Sequence, residues 1–260
     1  MKKRVLIPAV PLLISAFVVN AENQQRFDTY KQALEVDLIN CTEFAGVAPI
    51  NEVKARALVP SKYQLVANGS KANLVVRVSD CQEVSVNGHP GKPGRVAHIG
   101  IELISPDGTA TDPNTSINNY TLSYASNIPE LIDGLNRFAL PAVKTPELDY
   151  EFAPPIGPSL LYASITPIDP NSPTWFLYGT VTNPTIPSPF LANWWYLSDS
   201  GQVKMATTFP KIYFDFTSTV SFYTSAKNGI GTLIGGNSIS NFPVSFRGQY
   251  AYAQMIVTLE

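Results

Sequence analysis

Asn73-Leu74-Val75-Val76-Arg77-Val78-Ser79-Asp80 is an apolar, β-branched run with one cation inside it, and Val96-Ala97-His98-Ile99-Gly100-Ile101-Glu102-Leu103-Ile104 repeats the theme further along. Runs of this length and composition, bounded by turn residues, are strands rather than helices. Ser105-Pro106-Asp107-Gly108 follows the second run, and Asn87-Gly88 and Ser200-Gly201 are further turns, where Gly supplies a positive φ and Pro presets its own. Outward from there, residues 83–86, 159–165, 174–181, 193–197, 203–208, 212–216, 219–224 and 250–259 have the same strand character. Residues 25–40 differ, with Phe27, Tyr30, Leu34 and Leu38 at the spacing of an amphipathic helix packed on the body of the fold. A second helix opens at Ile128-Pro129-Glu130, continues through Leu131, Ile132, Leu135, Phe138 and Ala139, and ends at Pro141. The glycines of Gly229-Ile230-Gly231 and Gly235-Gly236 lie among β segments and read as a turn or bulge. Many short strands with few helices predict a mainly-β chain built as a barrel or sandwich; closing the barrel would leave no exposed sheet edge.

Compartment and charge narrow the function further. Met1-Lys2-Lys3-Arg4, an apolar run over residues 5–19 and the small residues of Val19-Asn20-Ala21 form the pattern of a secretory signal peptide cleaved after Ala21. The run is shorter than the ~20 residues a bilayer span demands and contains Pro8 and Pro11, so no stable membrane anchor is expected after cleavage. The domain expectation is therefore a leader over residues 1–21 and one barrel domain with its helical extension over residues 22–260, exported to the periplasm or the medium. Removing the three leader cations from eighteen basic residues leaves fifteen against twenty acidic, with no basic block. That excludes a nucleic-acid or anionic-membrane surface as the natural partner and leaves a small molecule.

Cys41 and Cys81 are the two cysteines, and in an exported chain an even pair implies a disulfide; two separate buried thiols are the other reading. Without a CxxC or a His/Cys cluster, and with His89 and His98 as the two histidines, no metal site is expected. No phosphate-cradling Gly-rich loop, nucleophile elbow or His-Glu-x-x-His is present, so no cofactor is expected.

The chemistry-bearing residues sit inside the strand runs. Arg77 either holds a substrate carboxylate bidentately or pairs with Asp80, Glu83 or Glu102. His98 and Glu102, four residues apart, share one strand face, either lumenal as an acid–base pair or outward and solvated. Tyr120 and Tyr124 by the same count share a face and line a pocket or a core. Asn193-Trp194-Trp195-Tyr196 puts aromatics on both faces of one strand: a core plus its cover, or an exposed interaction patch.

Val59-Pro60 with Tyr63-Gln64-Leu65, the strand ending in Ser105-Pro106-Asp107-Gly108, Tyr120-Thr121-Leu122-Ser123-Tyr124, the helix through Gly134 to Leu140-Pro141, and Asn241-Phe242-Pro243-Val244 before a final strand together resemble the acetoacetate decarboxylase-like β-barrel superfamily. That resemblance implies a ligand cavity, small organic acids or ketones as ligands, lyase chemistry through a Schiff-base lysine, and association into homo-oligomers. It places the lysine in a Gly-x-Pro-Lys-Lys run whose second cation lowers the pKa of the first. Here the run is Ala139-Leu140-Pro141-Ala142-Val143-Lys144; with the prolines aligned, the lysine positions hold Ala142 and Val143, and Lys144 is displaced. Lys144 is then a nucleophile only through a bulge or shifted register, and otherwise a solvated loop residue. The expectations are an exported barrel doing decarboxylase-type chemistry with Lys144, His98 and Glu102 as catalytic residues and Arg77, Tyr120 and Tyr124 as substrate contacts, or a non-catalytic small-ligand binder.

Overall fold

The computed structural model describes residues 33–145, 147–153, 159–169 and 172–260. Their order is β1 (Leu34–Asn51), α1 (Glu52–Arg56), β2 (Ala67–Asn68), β3 (Lys71–Val86), β4 (Lys92–Glu102), β5 (Ser116–Ser126), α2 (Pro129–Arg137), β6 (Ala142–Lys144), β7 (Glu147–Ala153), β8 (Ser159–Thr166), β9 (Trp175–Val181), β10 (Ile186–Ser198), β11 (Gly201–Asp215), β12 (Thr219–Thr224), α3 (Gly229–Ile234), β13 (Ser238–Ile239) and β14 (Val244–Leu259). The leader expected over residues 1–21 lies outside the described residues, as does the first half of the helix expected over residues 25–40. From Leu34 that helix expectation is corrected. Leu34, Val36 and Leu38 are buried while Glu35 is exposed, the period-two pattern of a strand paired with β14 and β3.

Seven strands close a barrel in the order β1-β14-β11-β10-β5-β4-β3, sealed by the antiparallel β1–β3 pair. Every neighbour is antiparallel except β10 on β5, which run parallel. Closure leaves no free edge among these seven strands, and β2 and β6 add short extensions to β3 and β5. A second sheet, β13-β12-β9-β8-β7, stands apart from the barrel path and exposes Tyr162, Phe176 and Tyr178.

Two apolar cores follow from the strand alternation. One, the lumen, takes residues from all seven barrel strands, among them Leu34, Val36, Val75, Val96, Tyr124, Trp194, Met205 and Met255. Helix α2 joins it through Leu131, Ile132 and Leu135, and Gly134 lets the helix backbone approach Leu34, since a Cβ there would meet the leucine at 2.8 Å. Pro129 and Glu130 start this helix as its sequence predicts. The other core lies between the barrel wall and the second sheet, where Val76, Ile99, Ile101 and Trp195 meet Leu161, Ala163, Trp175, Leu177 and Phe222.

Three local features depart from the sequence reading. Residues 229–234 are helix α3, not a turn or bulge: the Asn228 side chain accepts from the Gly231 N–H at 2.7 Å, and Gly235, at φ 79°, ends it. Residues 203–208 and 212–216 belong almost entirely to one long strand, β11. Strand β5 carries one extra residue opposite β4, the register passing from Ile99↔Ser123 to Gly100↔Thr121. This bulge reverses the alternation, so Tyr120 and Tyr124 do not share a face. Tyr124 belongs to the lumen, whereas Tyr120 packs outside it against Tyr63 and Tyr196.

Candidate functional site

The disulfide between Cys41 and Cys81 forms, joining directly paired residues of β1 and β3 at the barrel's closing seam. Two residues along β1 from that bridge, Glu43 is almost wholly buried on the same face, and its carboxylate receives Arg77. The Arg77 Nε and Nη2 donate to Glu43 Oε2 at 2.8 and 2.7 Å, and Ser79 Oγ donates to the same oxygen at 2.9 Å. Arg77 Nη2 also reaches the Tyr250 hydroxyl at 3.5 Å, and its guanidinium lies 5.7 Å from the Phe209 ring centre. Burial alone would lower the Arg77 pKa, but Glu43 more than offsets it, and the guanidinium stays charged. Arg77 is therefore in a structural ion pair, with a partner that sequence spacing did not suggest.

The neighbouring row is aromatic. Register sets Arg77 against His98 and His98 against Tyr124. The His98 ring stacks on Trp194 with centroids 3.5 Å apart and planes 16° apart, and meets the edge of Tyr124 at 4.8 Å. Trp194 can lie this close to β4 because Gly100 is beneath it; a Cβ at that position would come within 2.7 Å of the indole. His98 Nε2 is 3.2 Å from Thr121 Oγ1, while Nδ1 has no partner. Burial first, and then the Arg77 charge, hold the imidazole pKa well below its ordinary value, so the ring is neutral. Burial also pushes the phenols of Tyr124 and Tyr250 up.

Glu102 shares the lumenal face with His98 but not its surroundings. Four strand residues separate their Cα atoms by ~13 Å, and Gly100 with the Trp194 ring lies between. Glu102 is partly exposed and accepts from Asn73 Nδ2 at 2.7 Å; burial raises its carboxyl pKa and that bond offsets part of the rise. The structure thus brings His98 together with Arg77 and Tyr124, and leaves Glu102 to Asn73.

Lys144 is exposed at the end of β6, where it lines a surface recess of about 570 Å³ with Pro129, Ile132, Asp133 and Asn136 of α2. The lumenal position of β6 is taken by Ala142, buried beside Tyr124. Each lysine among the described residues is outside the lumen: seven are exposed, and Lys204 lies over Trp195 on the outer wall.

Sequence reasoning missed the most unusual property of the lumen. Asn119 Oδ1 and Nδ2, Trp194 Nε1, Thr207 Oγ1 and His98 Nδ1 are all buried without a hydrogen-bond partner. Asn119 and Thr207 have no exposed surface, and His98 and Trp194 are 2% exposed. Strand alternation aims all four side chains inward, and register puts Asn119 directly beside Trp194 on β5 and β10. Each orphaned atom costs about 1–3 kcal/mol unless water or a ligand satisfies it. A wider groove of about 820 Å³ crosses the outer wall over Thr42, Asp80, Arg95, Tyr213 and Gln249, but there Arg95 and Asp80 neutralise each other at 3.1 Å.

No family model and no curated protein matches the sequence. Solved structures do match its fold. The enduracididine biosynthesis enzyme MppR, complexed with the condensation product of pyruvate and imidazole 4-carboxaldehyde, is 8% identical with a TM-score of 0.54 over 88% of this chain and 89% of that one. An acetoacetate decarboxylase is 8% identical, with a TM-score of 0.55 over 86% and 88%. An acetoacetate decarboxylase-like enzyme from Sphingomonas wittichii RW1 is 8% identical, with a TM-score of 0.51 over 88% and 93%. In architecture, the chain is an acetoacetate decarboxylase-like β-barrel.

Proposed function

We propose that this barrel binds a small organic acid or ketone in its lumen by hydrogen bonding, without an amine nucleophile. The observation that carries the reading is the set of orphaned inward-facing polar atoms on His98, Asn119, Trp194 and Thr207. Solved relatives of the same fold support the ligand class, since MppR is described with pyruvate bound. Ala142 at the lumenal position of β6 and the exposed Lys144 argue against Schiff-base chemistry. The depressed basicity of His98 makes it a poor proton acceptor, which favours binding over acid–base catalysis. Export, with the leader removed after Ala21, is part of the same proposal; the Cys41–Cys81 bridge supports it, because such bonds persist in oxidising compartments. So is self-association, which sedimentation of the purified protein measures.

The test is borohydride reduction of the purified protein with pyruvate, acetoacetate and simple ketones, alongside calorimetric titration of the same compounds. The expected result is saturable binding with no adduct on any lysine. Ala142→Lys is the positive control, expected to gain an adduct beside Tyr124. An adduct on the unaltered chain, or no binding of any compound in the panel, overturns the proposal. N-terminal sequencing of the exported protein is expected to begin at Glu22.

A further inference from the structure

The charges facing the lumen can be counted strand by strand. Among the described residues they are Glu43 on β1, Arg77 on β3 and Glu102 on β4; His98 is neutral and the lysines are outside. Arg77 and Glu43 cancel, and Glu102 adds a carboxylate near the rim. An entering anion would therefore lose its hydration, a cost of several kcal/mol, and find no uncompensated cation in return. It would also meet the like charge of Glu102, whose residue is paired in register with Asn119.

The orphaned atoms add a second, independent constraint. Trp194 Nε1 and Asn119 Nδ2 are donors, Asn119 Oδ1 is an acceptor, and the Thr207 hydroxyl and the His98 Nδ1 complete the set. A carboxylate group accepts only, so a ligand such as pyruvate, with no donor of its own, would leave Asn119 Oδ1 unsatisfied, while a hydroxy acid such as lactate is disfavoured by its charge alone. A neutral molecule with both a carbonyl and its own N–H or O–H answers donors and acceptor together.

Resting on the lumen-binding reading above, we infer that the barrel selects small uncharged carbonyl compounds bearing an N–H or O–H, such as primary amides and hydroxyketones, over the matching carboxylates. The cancelled Arg77–Glu43 pair is the specificity device. It keeps a cation in the lumen wall that offers an anion no net attraction.

Calorimetric titration of the full chain with matched pairs tests it: pyruvamide against pyruvate, and lactamide against lactate, at pH 7.5. The amide is expected to bind at least ~10-fold more tightly in each pair. Glu43→Gln, checked for folding by circular dichroism, leaves Arg77 uncompensated and is expected to reverse the preference. Pyruvate binding as well as or better than pyruvamide overturns the inference while leaving lumen binding intact. Binding of neither overturns both. A folded Glu43→Gln variant that still prefers the amide overturns the role given to the ion pair, and should that variant not fold, the matched pairs on the unaltered chain still decide the selectivity.

Discussion

Asn118, Asn193 and Trp195 face one side of the barrel wall, and their chain neighbours Asn119 and Trp194 face the other. On the outer side the polar atoms find each other: Asn118 Oδ1 accepts from Trp195 Nε1 at 3.2 Å and from Asn193 Nδ2 at 3.1 Å, and Asn118 Nδ2 donates to the Ala110 carbonyl at 2.8 Å. On the lumen side both ends of Asn119 and the indole N–H of Trp194 remain open. The two sets share strands, residue types and burial. Packing therefore does not force the difference. Among the three outer residues only Asn193 Oδ1 is left open, and their bonds hold β5, β10 and the Ala110 loop together; the more numerous open atoms on the lumen side are those that the proposed polar occupant would satisfy.

The largest effect is expected from the charges. Arg77→Met leaves Glu43 buried and uncompensated and should cost ~3–5 kcal/mol of stability in urea unfolding. Adding Glu43→Gln to it should recover much of that loss. By contrast Arg95→Met, which removes the partly exposed pair with Asp80 on the outer wall of β4 and β3, should cost at most ~1 kcal/mol. Equal losses from the two single variants would show that the lumen is as wet as the outer surface.

Next in size is the closed outer set. Asn118→Ala removes the acceptor of Trp195 Nε1 and one of the two acceptors of Asn193 Nδ2, which keeps Thr109 Oγ1 at 3.3 Å, and an unfolding loss of ~1–3 kcal/mol is expected from the one orphaned indole donor. A loss below ~0.5 kcal/mol would mean that these bonds are replaced by water in solution.

A smaller effect separates the faces by pH. The His98 pKa is lowered in the folded protein, so the unfolded chain takes up a proton that the native lumen refuses. The stability this contributes is complete above the unfolded value of ~6.5 and falls as pH drops below it, at up to ~1.4 kcal/mol per pH unit. His98→Gln should flatten that slope between pH 6.5 and 5.5. Parallel curves for the two proteins would show that His98 is protonated in the fold.

How much of this was legible in the chain depends on the range of the interaction that decides it. The start of helix α2 was readable because Pro129 and Glu130 act locally, but the helix ends at Arg137 rather than at Pro141, and Ala139, expected within it, takes a positive φ of 56°. The strands were readable from composition, but the sides of β5 were not. A single bulge residue, set by pairing with β4, turned Tyr120 away from Tyr124. Leu34 and Leu38 fit both a helical and a strand period; the β1–β14 and β1–β3 ladders chose the strand. Arg77 read as a lone charge needing a partner, and the partner, Glu43, stood out only as an acid ahead of the apolar run Phe44-Ala45-Gly46-Val47-Ala48. Pairing across 34 residues of sequence has no local signature. After Pro141, Ala142 is buried in register with Tyr124 and Lys144 is exposed, an alternation that the three-residue strand β6 is too short to reveal from sequence.

The smallest expected change in stability carries the most information. Asn119→Leu replaces a buried, unpartnered amide by an apolar group of similar size, so unfolding should shift by less than ~1 kcal/mol and is expected to favour the variant. Ligand binding in the lumen should nevertheless disappear, because the acceptor and one donor beside Trp194 are gone. Asn118→Ala should show the reverse, a clear loss of stability with binding retained. That double dissociation distinguishes a receptor site from a flaw in packing. If Asn119→Leu instead costs as much as Asn118→Ala, then Asn119 already has a resident partner, such as ordered water, and the lumen is filled before any ligand arrives. If it costs nothing and binding also survives, the occupant contacts His98 and Thr207 instead, and the site moves along the lumen away from β5.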